Sequence, residues 1–552
     1  MIRPIERVDM NQEELEALLD RARVAPLSEK DYAKLRGVID TLGYLTNMLE
    51  DRKTTIQKMR QILFGSSTET TANVLKRDSQ QGTPESDSAQ SAGSSIPGTQ
   101  PAQKSSEKVK GHGRNGAASY TGATKIKIRH ESLKAGDGCP KCQKGKVYAS
   151  VPPRVLVRIV GQAALGAKVY EMESLRCNLC LEVFTAQTPD GVGDKKYDET
   201  SGSMIALLKY GTGIPFYRLE HFQGNLGIPL PSSTQWEIVQ EVADVVEPAY
   251  VELVRQAAQG EILHNDDTPM KILALMKEKS AKQAEADSDD EERTGVYTSG
   301  IVSIGDGRKI ALFFTGHKHA GENLSDVLAQ RVAELGPPIQ MCDALSRNVP
   351  KAFEVVLGNC IAHGRRKFVD VFANFPQECC YVLETLRDVY GNDAVAREQG
   401  LSAQERLAFH QAHSGPLMAE LEKWFKDQIA ERKTEPNSGL GKAISYMKNH
   451  WKPLTLFLRV PGAPLDNNVC ERGLKKAILH RKNAMFFKTT NGAHVGDIFM
   501  SFIHTCELSG GNPFDYLTEL QKHAEEVSAD PKDWMPWNYR ETMERGQGPP
   551  PS

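Results

Sequence analysis

EILHNDDTPMKILALM, residues 261–276, marks where the chain changes from a helical texture to a strand-like one. Aliphatic and β-branched runs bounded by Asp, Pro and Gly read as strands, and the same pattern recurs in GVYTSGIVSIGDGRKIALFFT (295–315), PIQMCDALSRN (338–348) and VVLGNCIAH (355–363). Between the first two lies KEKSAKQAEADSDDEERT (277–294), a charged stretch that suits an exposed hairpin loop. A helix is expected near residues 321–335. Three strands in sequence, a helix and a further strand are the opening of a ribonuclease-H-like α/β fold.

That order puts particular carboxylates side by side. Asp266 falls in the first strand and Asp343 ends the strand after the helix, so both belong at the centre of the sheet. A third, Glu471, lies in LDNNVCERGLKKAILHRKN (465–483), where Asn468, Glu471 and Lys475 share one helical face by their 3 and 4 spacing. The mainly helical stretch at about 370–455 reads as an insertion. Phosphodiester chemistry gives such a set a use, because hard divalent ions take oxygen ligands and a pair of them stabilises both the attacking and the leaving oxygen of an in-line displacement. His363, Arg365, Arg366 and Lys367 in IAHGRRKF, and Arg472, Lys475, Lys476, Arg481 and Lys482 after the glutamate, are cations suited to DNA phosphates. Taken singly, an Asp at a strand end is usually a cap and a basic helix is usually a solvated face.

Outward from this core, residues 199–258 read as a helical unit: SGSMIALLKYGTG, FYRLEHFQGNLG and SSTQWEIVQEVADVVEPAYVELVRQ, with Ser232 or Ser233 suited to the N-cap of the last. A short helix, a turn at Asn225 to Gly227 and a second helix fit either a helix-turn-helix contacting DNA or a plain packing domain. Residues 123–198 carry Cys139-Pro-Lys-Cys142 and Cys177-Asn-Leu-Cys180, two knuckles separated by strand-like segments. Four thiolates at this spacing suit one structural zinc in a zinc ribbon, closed and non-catalytic, rather than a redox dithiol. Residues 66–122 are rich in Ser, Gly, Gln, Thr and Pro, read as a disordered linker, and turn basic from Lys104 to Arg129. In residues 1–65, Leu35, Leu42, Leu49, Ile56 and Leu63 repeat every seventh position, with Val38, Leu45 and Met59 completing a seam broken at Arg52. This fits a coiled coil that makes a homo-oligomer through residues 29–64, or an amphipathic helix packed on its own chain. Residues 509–552 complete the chain as a helical segment and tail.

Composition sets wider bounds. At 552 residues the chain is long enough for several domains, and 39% hydrophobic and 25% charged residues are ordinary for a soluble globular protein. The formal net charge of −3 does not announce a nucleic-acid binder, so a DNA surface must arise by local segregation of Lys and Arg. The N-terminus is not signal-peptide-like and there is no long apolar run, which points to a cytoplasmic protein with no membrane partner, whose ten cysteines are better read as metal ligands or reduced core residues than as disulfides.

QILFGSSTE (61–69), the two knuckles, ILHNDDTPMKIL (262–273), CIAHGRRKF (360–368) and PLDNNVCERGLKKAILHRKNAMFF (464–487) occur in the order found in the insertion-sequence sixty-six family of transposases. The chain resembles that family over nearly its whole length, the last stretch being the most specific. The resemblance implies a zinc ribbon, a helical domain and a DDE core with a helical insertion, in which Asp266, Asp343 and Glu471 form the catalytic triad. Asp466, Asn467, Asn468 and Arg472 match residues flanking the family's glutamate. The chain departs from the usual pattern at Asp267, Ala344, Leu345 and Ile361. The function so implied is binding of insertion-sequence ends and cleavage and strand transfer of double-stranded DNA with two Mg²⁺ or Mn²⁺ ions and a structural Zn²⁺, with accessory proteins encoded beside it as further partners. The alternatives are a catalytically inactive DNA-binding or regulatory relative, and a nuclease without strand transfer.

Overall fold

The computed structural model describes residues 195–276 and 295–546, together with 164–176, 183–191 and a few isolated positions before them. The heptad segment apart from Asp31, Tyr32 and Leu35, the whole Ser/Gly-rich stretch, all four knuckle cysteines and the charged 277–294 stretch lie outside the described residues. Short strands β1 (Ser174–Arg176) and β2 (Val183–Thr185) pair antiparallel on either side of residues 177–180.

The chain divides into two compact units. One comprises residues 1–85 and Lys367–Gly391; within it Phe368, Phe372, Cys379, Val382, Leu383, Leu386 and Val389 are buried. The other comprises Ser86–Arg366 and Asn392–Ser552 and holds the central sheet.

That unit is mixed α/β. Five strands, β3 (Ile262–Pro269), β4 (Tyr297–Gly305), β5 (Arg308–Gly316), β6 (Ile339–Cys342) and β7 (Val356–Asn359), form one sheet in the order β5-β4-β3-β6-β7. β3, β4 and β5 are antiparallel neighbours, and β6 and β7 run parallel to β3. A parallel return needs a crossover, and the helix Ala320–Leu328 supplies it between β5 and β6. Each strand coincides with a run read as strand from sequence. β3 buries Leu263, His264 and Asn265 in succession, as a strand covered on both faces does.

Before the sheet come α1 (Glu199–Ala206), continued by a π-helical turn at Leu207–Gly211, then α2 (Phe216–Asn225) and α3 (Ser232–Ala257). α3 buries Val239, Val242, Val246, Ala249, Leu253 and Ala257, the 3 and 4 spacing of one helical face. The expected cap differs in detail. Pro231 stands at the N-cap of α3, while Ser232 is its first residue and donates through both N–H and hydroxyl to the Glu220 carboxylate of α2. A neighbouring helix therefore supplies the acceptor that a cap serine would have offered.

Further helices follow the crossover helix, which is α4. They are α5 (Ile361–Val371), α6 (Pro376–Glu398), α7 (Ala403–His413), α8 (Gly415–Ala430) and α9 (Gly439–Asn449), then α10 (Asn468–Ala484), α11 (Thr490–Leu508) and α12 (Pro513–Lys522). α10 packs over β3 and β4, and α11 lies along β5. The contact with β5 resolves the edge-strand problem, because an edge exposes unpaired N–H groups. Thr505, Ser501 and Asp497, four residues apart on α11, accept from the N–H groups of Ala311, Phe313 and Thr315 on alternate positions of β5, at 3.0, 2.9 and 2.6 Å. The buried side chains of α1 to α3 are continuous with the core of the sheet, α10 and α11. No helix among the described residues is long and apolar enough to cross a membrane.

Candidate active site

The pairing of β3 with β6 brings two of the expected carboxylates together. His264 lies opposite Met341, so two residues further along each strand come Asp266 and Asp343, on the same side of the sheet because side chains alternate with a period of two. Burial and then the charge on Asp343 push the Asp266 carboxyl up to about 7, with Asp267 and Glu471 adding to the effect. Three carboxylates from segments distant in sequence thus act on one point. Asp266 is opposite Gly300 of β4, and Gly300 is where α10 comes down on the sheet: a Cβ there would sit 3.0 Å from Leu474. A side chain at 300 would lift the helix that carries Glu471.

Asp267 is engaged elsewhere. Its carboxylate, fully buried, meets His319 Nδ1 at 2.9 Å and Arg347 Nη2 at 3.1 Å. Of the neighbouring aspartates, Asp266 is the one that faces Asp343. The turn Ser346–Asn348 joins the two sides. Arg347 reaches Asp267, while the next residue, Asn348, donates its amide to Asp343 Oδ1 at 2.6 Å and, more weakly, to Asp266 Oδ1 at 3.4 Å. Asn348 is completely buried, and its backbone carbonyl accepts from the side chains of Asn265 and Gln340, each at 2.7 Å. Sequence reading did not find Asn348, since an Asn in a short turn carries no signal of what its side chain holds.

Glu471 stands in the first turn of α10, where the helix N-terminus favours a negative charge. Asn467, just before the helix and fully buried, fixes that terminus. Its amide donates to the Asn265 carbonyl at 3.1 Å, its oxygen meets His264 Nδ1 at 3.1 Å, and its N–H points to Cys360 Sγ at 3.2 Å. Burial holds the His264 imidazole down at about 4, against the pull of its Asn467 partner, so it is neutral at pH 7. Asn467→Ala should cost roughly 2–3 kcal/mol, because it leaves buried partners unpaired beside β3. Equilibrium denaturation would measure it, and a loss below about 0.5 kcal/mol would show that these bonds do not fix α10.

Around Glu471, His363 Nδ1 lies 3.7 Å from Oε1 and Arg366 Nη2 lies 4.0 Å from Oε2. Cys360, His363 and Glu471 each present a donor atom within 4.8 Å of the others. Burial pushes the Cys360 thiol up to about 12, so it is protonated. The donor chemistry of the whole site suits divalent cations. Acidic oxygens dominate, burial and then Asp343 raise the Asp266 carboxyl, and Glu471 Oε1 is buried without a hydrogen-bond partner among the described residues.

The family model of the transposase IS66 family matches residues 196–495, more than half of the 552. The chain belongs to that family. It is also similar to three proteins of Sinorhizobium fredii (strain NBRC 101917 / NGR234), each described as uncharacterized. It is 33% identical to y4jD over 189 residues, which cover 33% of this chain and 36% of that protein. It is 25% identical to y4hP over 353 residues and 23% identical to y4qI over 355, covering 61% of both chains in each pair. The matched part thus spans about a third to three-fifths of the length of these relatives.

Within this IS66-family chain the basic residues singled out from sequence divide by what they touch. Arg472, Lys475 and Lys482 are exposed along one side of α10, at spacings of three and seven. Arg481 is turned inward, donating to Thr268 Oγ1 at 3.0 Å and to the Pro269 carbonyl, and so holds the end of β3. Lys476 pairs with Glu507 at 2.8 Å. Asn468 closes onto Asp466 at 2.6 Å. On α5, Arg365 is half-buried and Arg366 is exposed beside Glu471. Lys367, next along the helix, is exposed and falls in the other compact unit.

Proposed function

We propose that this chain is a DDE-type transposase that binds the ends of an insertion sequence and carries out metal-dependent cleavage and strand transfer of double-stranded DNA. The placement of Asp266, Asp343 and Glu471 supports the reading: the first two come side by side from the central strand and the end of its parallel neighbour, and the charge of Glu471, on a helix much later in the chain, reaches Asp266. Three antiparallel strands followed by two parallel ones, with a helical crossover between, support a ribonuclease-H-like core.

Asp266, Asp343 and Glu471 would hold two divalent ions, Mg²⁺ or Mn²⁺, which when bound supply charge stabilisation to the attacking and leaving oxygens of the phosphodiester. Asp266, raised to about 7 by burial and Asp343, would have to be ionised to hold such an ion. Asn348 keeps Asp343 oriented and supplies a neutral donor between two anions. Arg472, Lys475 and Lys482 face solvent in a row suited to a DNA backbone, and Arg366 beside Glu471 is placed for a phosphate near the reacting bond. Zn²⁺ on Cys139, Cys142, Cys177 and Cys180, self-association through residues 29–64, and accessory proteins would serve recognition of the ends and their pairing.

The test uses labelled DNA carrying the element's end, incubated with wild type or Asp343→Ala in Mg²⁺ or EDTA. Nicking at the end that needs Mg²⁺ and disappears in the variant is the expected result. Binding without nicking under every condition would overturn the catalytic reading and leave a DNA-binding relative.

A further inference from the structure

We propose that His363 is a ligand of the divalent ion held by Glu471, giving this site one imidazole nitrogen and a preference for Mn²⁺ over Mg²⁺. The inference rests on the reading of Glu471 as a metal-binding carboxylate and adds to it a donor atom that an all-carboxylate site lacks.

His363 Nδ1 and Glu471 Oε1 are 3.7 Å apart, too far for a hydrogen bond between them. Both atoms are nevertheless shielded from solvent, and neither has a hydrogen-bond partner among the described residues. Buried polar atoms are almost always satisfied, so a facing pair of orphans calls for something between them. Two neighbouring ligands of an octahedral ion, each about 2.2 Å from it at 90°, stand roughly 3.1 Å apart. The 3.7 Å between these two atoms is longer by about 0.6 Å, a gap that a small rotation of either side chain closes around an entering ion.

The surroundings favour a cation over the alternatives. His363 also fits the expectation of a cation for DNA phosphate, but its Nδ1 is turned inward at a carboxylate. The adjoining Cys360 Sγ, in the same cluster of donor atoms as the two side chains, is occupied by the Asn467 N–H at 3.2 Å, so the first coordination offered is one nitrogen and one oxygen. Binding through Nδ1 needs a neutral ring with its proton on Nε2. Imidazole suits first-row transition ions, whereas Mg²⁺ keeps to oxygen ligands and water.

The experiment is pulsed electron paramagnetic resonance of Mn²⁺ bound to the full chain, with binding of Mn²⁺ and Mg²⁺ measured alongside by calorimetry. Wild type should show a nitrogen hyperfine coupling of the imidazole type. His363→Gln should still take up Mn²⁺ but lose the coupling, and its affinity ratio of Mn²⁺ over Mg²⁺ should fall by about tenfold. His363→Asp, which restores an oxygen ligand, should recover occupancy with the preference moved towards Mg²⁺. Stoichiometric Mn²⁺ binding by wild type without nitrogen coupling, or coupling that survives in His363→Gln, overturns the role of His363 and leaves the carboxylate site intact. A wild type that binds no Mn²⁺, or that binds it unchanged after Glu471→Gln, overturns the metal reading of Glu471 itself and this inference with it.

Discussion

Glu471→Gln should reduce metal-dependent nicking at the element's end by about a thousandfold or more while leaving affinity for the same DNA within about threefold. The substitution is nearly isosteric, so the first turn of α10, tied down through Asn467 and Cys470, has no reason to move. What changes is charge. One of the three carboxylates acting on the site becomes neutral, and the amide that replaces it offers a weaker oxygen to a divalent ion. The exposed cations Arg472, Lys475 and Lys482 are untouched and should hold DNA as before. Gel-shift titration and cleavage assays on one labelled substrate measure both quantities together. Nicking within tenfold of wild type would remove Glu471 from the catalytic set.

The strands and the helical run after β7 were legible because each has its own local signature. Aliphatic runs end at Pro269, at Gly305 and Gly307, and at Asp343, and the structure breaks its strands at or beside those points. The placement of Asp266 and Asp343 followed from one assumption, that β6 returns parallel beside β3; given that register, the period of two does the rest. The amphipathic pattern of α10 put Glu471 on a helix, but nothing in that pattern says which carboxylate it will meet.

What escaped reading from sequence has a common physical character. Asn348, Cys360 and the bonding role of Asn467, a residue that the resemblance alone singles out, rest on buried or part-buried hydrogen bonds between segments 5 to 203 residues apart, and a polar residue in a turn looks the same in sequence whether it points at water or at an aspartate. The N-cap of α3 escaped for a related reason. Ser232 was read as a local acceptor, and the structure uses it as a donor to Glu220 on the preceding helix. Arg481 likewise carries a charge suited to phosphate yet spends its donors on Thr268 and Pro269. The doubled aspartate divides by partners that no local pattern announces: Asp343 and Asn348 for Asp266, His319 and Arg347 for Asp267.

Asp266→Asn should stabilise the metal-free protein at pH 8 and abolish its stabilisation by metal. In the metal-free fold the Asp266 carboxyl is raised to about 7, first by burial and then by Asp343. A raised carboxyl contributes stability that is fully present below its ordinary range near pH 4 and is lost as pH climbs to about 7. At pH 8 the wild type therefore carries a buried charge among like charges, at a cost of the order of 2–4 kcal/mol, which the neutral amide does not incur. Asp497, also raised to about 7 by burial, adds a loss of the same sign, and His264 and His480, lowered to about 4 and about 3, add the opposite sign; all three are common to both proteins and cancel in the comparison. Thermal unfolding in EDTA should thus show the variant melting several degrees higher at pH 8, with the gap closing towards pH 5. Metal reverses the order, because it binds the charged form. Wild-type affinity for Mn²⁺ should rise about tenfold per pH unit from pH 5 to 7, one proton being released, and level off above that. A variant less stable than wild type at pH 8 in EDTA would mean that burial of Asp266 is offset by contacts other than metal, and a variant with an undiminished Mn²⁺ shift would place the ion elsewhere.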